Sequence, residues 1–270
     1  MRRLMINADD FALTDGVCQG ILQAMERGVV RATTAMTRPP GAAGRITAHA
    51  TALHGRLGIH FQLTGGHAPC LRPEEIPSLV TAEGVFPRKR MDIVQASADE
   101  IRREWGAQLD LLRSCGVSPS HMDTHHHVHK RPDVFPVYLE MAARLAIPAR
   151  ATNPAMAAAL RAAGAPCADA FITDFFGGDL TPGRFLKLVA AAFAPLPDTA
   201  VVELMCHPGK NDAELSRISA YNQAREQEIA VLSSPEVRQG LQDLGVAVCG
   251  PEGIPGPLRG FHHNDADPAS

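Results

Sequence analysis

Long apolar runs are missing from this 270-residue chain. No stretch approaches the roughly 20 apolar residues needed to span a bilayer, so no membrane span is expected. Paired cysteines are missing too. The six cysteines, at positions 18, 70, 115, 167, 206 and 249, stand singly with no Cys-x-x-Cys. That excludes a zinc ribbon and a dense disulfide scaffold, and points to reduced thiols in a cytoplasmic protein. Excess basic charge is absent: the formal net charge is -3, with no basic run or aromatic-rich basic patch, which argues against a nucleic-acid partner. The start, Met1-Arg2-Arg3-Leu4-Met5-Ile6, meets Asn7-Ala8-Asp9-Asp10 too soon for a signal-peptide core. What remains, 45% hydrophobic and 20% charged, is ordinary for a soluble globular enzyme of one large domain or two small ones.

One residue type is concentrated. Five of the twelve histidines fall between positions 121 and 129, in Ser120-His121-Met122-Asp123-Thr124-His125-His126-His127-Val128-His129. A core cannot hide so many imidazoles without partners, and neutral imidazole is the commonest protein ligand for borderline metals. The stretch therefore reads as part of a metal site. His121, Asp123, His125, His127 and His129 would line one face if the strand continued. His121 and His125 would equally suit adjacent turns of a helix, so periodicity alone does not choose the ligands.

Residues 3–8 predict a buried strand that stops at Asp9-Asp10-Phe11. Residues 13–15 offer a cap for a helix through Val17, Ile21, Leu22 and Met25, closed by Gly28. A strand near 29–37, a helix over 42–54 and a strand at 57–63 follow. In the last, Leu57, Ile59, Phe61 and Leu63 share one face, and His60 and Gln62 the other. Residues 65–95, rich in Gly, Pro and charge, read as a long excursion. The helix at 97–115 carries Ile101, Trp105, Leu109 and Leu112 on one stripe. Pro132 is expected to open a helix running to 146, and 148–152 to form a strand. Helices near 154–163 and 181–194 flank a weak strand at 171–173. A strong strand at 199–206 ends at His207-Pro208-Gly209. Helices at 219–232 and 235–243 lead to a last strand at 246–248.

Strands and helices thus alternate seven or eight times, with no linker and no internal repeat. This is the pattern of an α/β protein built on a parallel sheet, as a closed or nearly closed barrel in a single domain over 1–250. Residues 251–270 read as a poorly ordered tail. A doubly wound open sheet is the second choice, weakened where it would bind nucleotides because no Gly-x-Gly-x-x-Gly or P-loop follows any strand.

In parallel α/β folds chemistry gathers at the carboxyl ends of the strands. Asp9 and Asp10, His60, Asp123 with His125, and His207 come from four such ends. One carboxylate of the Asp9-Asp10 pair can bind a metal while the other takes a proton from the water it activates. His207 would face the reaction from the opposite side. Each element has a plainer reading alone: Asp-Asp as a turn or cap, His60 as a core histidine, residues 206–209 as a turn. His262-His263 reads as an accident of the tail. Their convergence on one rim carries the functional reading.

Asn7-Ala8-Asp9-Asp10-Phe11, Gly58-Ile59-His60, the 120–129 stretch and Glu203-Leu204-Met205-Cys206-His207-Pro208 together resemble the YdjC-like carbohydrate deacetylases, of which chitooligosaccharide deacetylase is the characterised type. The resemblance runs in order over about residues 2–250. It implies a distorted (β/α) TIM-like barrel that removes acetyl groups from N-acetylated sugars by metal-activated water attack on the acetamide. It also implies that Asp10, His60 and His125 hold one divalent ion, magnesium or zinc. Asp9 would be the general base and His207 the general acid, with His121, Asp123, His127 and His129 supporting the ligands or touching substrate. A homodimer is compatible with it. Tyr221-Asn222, Arg225-Glu226 and Glu228 resemble the family's late helix, although a charged, solvated helix face is their plainer reading. The chain departs from the family at Ala12, where glycine is usual. The methyl group matters there if the position needs a positive φ. The alternatives are another metal-dependent amide or lactam hydrolase, or a phosphoesterase using the extra histidines at 126–129.

Overall fold

Strand β1 (Arg2–Phe11) is buried from Leu4 onward. In a computed structural model, which describes residues 1–256, it is paired along both edges. β6 (Val201–Cys206) runs beside Arg3–Ala8, β2 (Ala32–Ala35) beside the later part from Asn7, and β7 (Val246–Cys249) beside the beginning, Arg2 to Met5. The other strands are β3 (Leu57–Phe61), β4 (Met122–Thr124) and β5 (Ala170–Ile172), and every pairing is parallel. The order is β4-β3-β2-β1-β6-β5, with β7 on β1 off this path. Nine helices are described: α1 (Asp15–Arg27), α2 (Ala42–His49), α3 (Ala98–Ser114), α4 (Phe135–Leu145), α5 (Pro154–Ala162), α6 (Pro182–Phe193), α7 (Ala213–Ile218), α8 (Gln223–Leu232) and α9 (Pro235–Asp243). This is the expected distorted TIM-like barrel, a curled half-barrel in one α/β domain. Among the described residues the edges β4 and β5 do not pair with each other. An isolated Met122–Ala149 bridge and a bond from Ala149 N to Pro166 O (2.8 Å) extend the β4 edge.

Helix α1 begins where the sequence places it: the Thr14 hydroxyl accepts from Val17 N at 3.2 Å, and Gly28 closes it. Helix α3 buries Ile101, Trp105, Leu109 and Leu112 as the stripe requires, each such side chain contributing about 1.5–3 kcal/mol when taken from water. Glu104 and Gln108 are buried as well. Glu104 accepts from Cys70 N, Leu71 N and Gln108 Nε2 (2.8–3.1 Å), which moors the 65–95 excursion. That excursion is irregular apart from two short 3-10 turns, Pro73–Glu75 and Arg90–Asp92.

Several expected boundaries move. The 148–152 strand shrinks to the single Ala149 bridge. Helix α4 starts at Phe135, with Pro136 rather than Pro132 in its first turn, because a 3-10 turn (His125–Lys130) takes up the chain after β4. That turn also ends the strand at Thr124, so the odd-numbered residues of the 121–129 stretch do not share one face. Helix α7 was not expected; six residues are too few for a periodic signal, although its Asp212 cap is in place. Of the supposed tail, Pro251–Gly253 form a turn and Ile254 packs with Met5, Ala32 and Val201. His262 and His263 lie outside the described residues. No helix among the described residues is long and apolar enough to cross a membrane.

Candidate metal centre

The end of β1 is bent by design of its backbone. Its register against β2 shifts between Ala8 and Phe11, and Asp10 adopts φ 70°. In a regular strand Asp9 and Asp10 would face opposite sides of the sheet. A bulge re-aims side chains, and here both carboxylates become buried partners of one polar cluster. Two residues on, Ala12 has φ 71°, so the position does need the left-handed region. A non-glycine residue there bears about 1–2 kcal/mol of backbone strain.

Asp10, His60 and His125 converge. Asp10 Oδ1 lies 3.1 Å from His125 Nδ1 and 3.4 Å from His60 Nε2, and the two nitrogens are 3.3 Å apart. Ligands at zinc-type bond lengths of about 2.0–2.1 Å, with angles between 90° and tetrahedral, stand about 2.8–3.4 Å apart. The triangle therefore fits one ion. Behind it, His60 Nδ1 meets Asp123 Oδ1 at 2.6 Å. This is the carboxylate–histidine support that metal-binding imidazoles receive, and it arises because His60 and Asp123 are register partners in β3 and β4.

Charge points the same way. Arg150 is buried, holding both Asp9 oxygens (2.7 Å each), Asp123 Oδ2 (2.9 Å) and Glu203 Oε1 (2.7 Å). Arg225 holds Asp10 Oδ2 at 2.7 Å. Four linked carboxylates against two guanidiniums leave two negative charges, which a divalent cation would balance. Without one, protons do the work. Burial opposes charge on His60, but Asp123 and Asp10 outweigh it and raise its pKa to about 10. Burial likewise raises Glu203 to about 7 despite Arg150. Burial alone would raise Asp9 and Asp10, yet Arg150 in one case and Arg225 in the other hold both below the usual carboxylate range.

Across from the triangle stands His207, at the end of β6. Its backbone N–H donates to Glu228 Oε2 at 2.5 Å, and Tyr221 Oη donates to Glu228 Oε1. Burial lowers the His207 pKa to about 4, so it is neutral at pH 7. Its Nδ1 has no protein partner. Burial raises Glu228 to about 7. The solvated-face reading of the late helix is thus wrong for Arg225 and Glu228: both are buried and both brace the site.

The remaining histidines divide. His121 Nδ1 meets Ser120 Oγ (2.9 Å), and its Nε2 meets Asn7 Oδ1 (2.7 Å); Asn7 Nδ2 donates to Asp9 Oδ1 (2.8 Å). Gly58 is required beside it, since a Cβ there would lie 2.5 Å from His121 O and 2.6 Å from its Nδ1. His126, one of the extra histidines of the 126–129 run, stacks on His125 at 3.8 Å and meets Thr64 Oγ1. His127 is half-buried against Phe171, with Nδ1 unpartnered. His129 is fully buried, stacked on Tyr138 and bonded to Thr124, a position that leaves it no surface for substrate. The two metal-capable groups among the described residues are Asp10-His60-His125 and Asp9-His60-Asp123. They share His60, and in the second Arg150 already occupies both carboxylates. Neither draws on His126, His127 or His129.

Arg150 escaped the sequence reading, which saw only a strand there. The available signal was a lone charge in Ile147-Pro148-Ala149-Arg150-Ala151, costly to bury unless paired.

A family model described as YdjC-like protein matches residues 3–243. The chain belongs to the YdjC-like family. Within that family it is 40% identical over 248 residues to a carbohydrate deacetylase of Geobacillus stearothermophilus, covering 91% of this chain and 95% of the relative. It is 33% identical to a chitooligosaccharide deacetylase of Serratia marcescens, over 90% and 95% of the two chains. A crystal structure from Enterococcus faecalis, named for cellobiose-phosphate cleavage, superposes with a TM-score of 0.85 at 30% identity, covering 93% and 98%. A lactam utilization protein from Thermus thermophilus, at 18% identity and a TM-score of 0.51, shares the fold.

Proposed function

We propose that this YdjC-like protein is a metal-dependent hydrolase that removes the acetyl group from N-acetylated sugars, as oligosaccharides or glycoconjugates. Asp10, His60 and His125 hold one divalent ion, magnesium or zinc, which when bound supplies Lewis-acid activation of water and of the acetamide carbonyl. The observation that carries this reading is the 3.1–3.4 Å triangle with Asp123 behind His60. The names of the relatives support the substrate class.

Asp9 is the general base. Arg150 and Asn7 keep it ionised and fix its direction, so it can withdraw a proton from the attacking water. The acetamide C–N bond breaks, acetate leaves and the sugar retains the amine. His207 delivers the proton to that amine. Because His207 is neutral at rest, that proton is the one Asp9 took from the attacking water, passed through His207 to the amine. His121 acts on Asp9 through Asn7, Asp123 acts through His60, His127 contacts substrate, and His129 supports the turn that carries His125. The phosphoesterase reading loses its basis, since its extra histidines join no metal-capable group among the described residues. A cytoplasmic location accords with six free cysteines. A homodimer is checked by light scattering, and a catalytic unit of residues 1–250 by truncation.

Protein loaded with Mg, Zn or Co should release acetate from an N-acetylglucosamine oligomer or conjugate. Asp10→Ala should lose the ion. Asp9→Asn should keep it and lose turnover by about 10²–10⁴-fold. No acetate from a broad panel, with metal demonstrably bound, contradicts the proposal. An active Asp9→Asn removes the base assignment alone.

A further inference from the structure

Phe176 leaves 48% of its surface in water at the mouth of the site. Its ring meets His207 edge-on, centroids 5.2 Å apart at 67°, and its back is stacked on Tyr221 at 4.2 Å and 23°. The loop that presents it is built for the purpose. Gly177 and Gly178, both at φ 63°, turn the chain, and Gly177 N donates to Tyr221 Oη at 3.1 Å. The Arg184 guanidinium ties down the carbonyls of Asp174, Gly177 and Asp179 (2.8–3.1 Å). Behind the loop, buried Phe175 packs edge-on against Phe185. A scattered surface phenylalanine needs no such frame. Here an apolar ring is held open to water beside His207, and covering it with an apolar partner is favourable.

We infer that Phe176, backed by Tyr221, is the binding platform for the pyranose ring that carries the acetamido group. This rests on the deacetylase reading and adds to it the seat of the sugar. The face of an aromatic ring is electron-rich, and a pyranose with equatorial substituents presents weakly positive axial C–H bonds on its faces, a contact of the weak C–H donor type. With the sugar ring laid on Phe176, a nitrogen substituent on its edge reaches toward His207, the neighbouring ring. Tyr221 keeps the platform rigid through Glu228, the same carboxylate that holds the His207 backbone.

The test compares wild type, Phe176→Ala and Phe176→Trp, metal-loaded, with the N-acetylglucosamine dimer as probe. Acetate release gives KM and kcat; calorimetry gives binding of the dimer, and a metal titration reports whether the site is intact. Phe176→Ala should weaken binding and raise KM about tenfold, an effect of aromatic-contact size, with kcat changed less than about threefold and metal affinity unchanged. Phe176→Trp should restore KM. Unchanged KM and binding in Phe176→Ala, or a loss of metal affinity in both variants, overturns the platform. If wild type binds the dimer through Phe176 but releases no acetate, the platform stands and the deacetylase reading falls. If it releases acetate regardless of Phe176, the reverse holds. If it neither binds nor cleaves the dimer, both fall.

Discussion

On one side of the site, Asp10, His60 and His125 are held by strand ends, with Asp123, Asn7 and Arg150 packed behind them in the barrel. On the other side, His207 leans on a helix and a loop: Glu228 from α8, Tyr221 just before it, and Phe176 from the segment after β5. The first side concentrates charge and excludes water, which suits a cation. The second is partly open and aromatic, which suits a neutral sugar ring and a departing amine. Strands make the chemistry rigid, and helix and loop make the mouth shapeable.

The most severe way to break the first side is Arg150→Met. It leaves Asp9, Asp123 and Glu203 buried without the guanidinium that joins them, and removal of one partner from such a cluster costs about 3–5 kcal/mol. Urea denaturation should record that loss, and near-wild-type stability would mean the carboxylates do not depend on Arg150.

Acid should come next. Burial lowers His121 from 6.5 to about 4. Above pH 6.5 the imidazole is neutral folded or unfolded and contributes nothing. As pH falls through 6.5 the unfolded chain takes a proton that the native state refuses, so stability drops, by about 3 kcal/mol on reaching pH 4. His207 and His127 act in the same direction. In the metal-free protein His60, raised to about 10, is already protonated when folded, so its stabilising contribution is complete once the pH is well below 6.5 and adds no further slope toward pH 4. His121→Gln should lose stability less steeply over this range, and an unchanged slope would remove His121 from the account.

On the second side, Glu228→Gln weakens the support of the His207 backbone without touching the ligand triangle. Turnover should fall about 10–100-fold, with metal affinity unchanged by titration. A fall in metal affinity instead would merge the two sides into one.

Much of the strand-built side was legible. Asp9, Asp10, His60, Asp123 and His125 lie at strand ends in short polar motifs, and strand ends in a parallel fold have one place to meet. The helix-built side was not. Arg225 and Glu228 look like any charged helix face until tertiary packing turns them inward. Phe176 lies in a loop whose course follows from glycine geometry and Arg184, which no period reports. The odd-numbered histidines do not share a strand face, because backbone at φ 53° and 49° in His126 and His127 breaks the strand.

The smallest effect sharpens the strand side. Ala12→Gly should raise stability by about 0.5–1 kcal/mol, because glycine relieves the positive φ while giving back some chain entropy. Metal affinity should not change, and a destabilised variant would contradict the strain.

Both sides of the site serve the one ion proposed for the Asp10-His60-His125 triangle. Calorimetric titration of metal-free protein with zinc, alongside Asp10→Ala, measures its binding directly. One equivalent should bind wild type and none should bind Asp10→Ala with comparable affinity. Two or more equivalents, or undiminished binding in Asp10→Ala, would contradict the account.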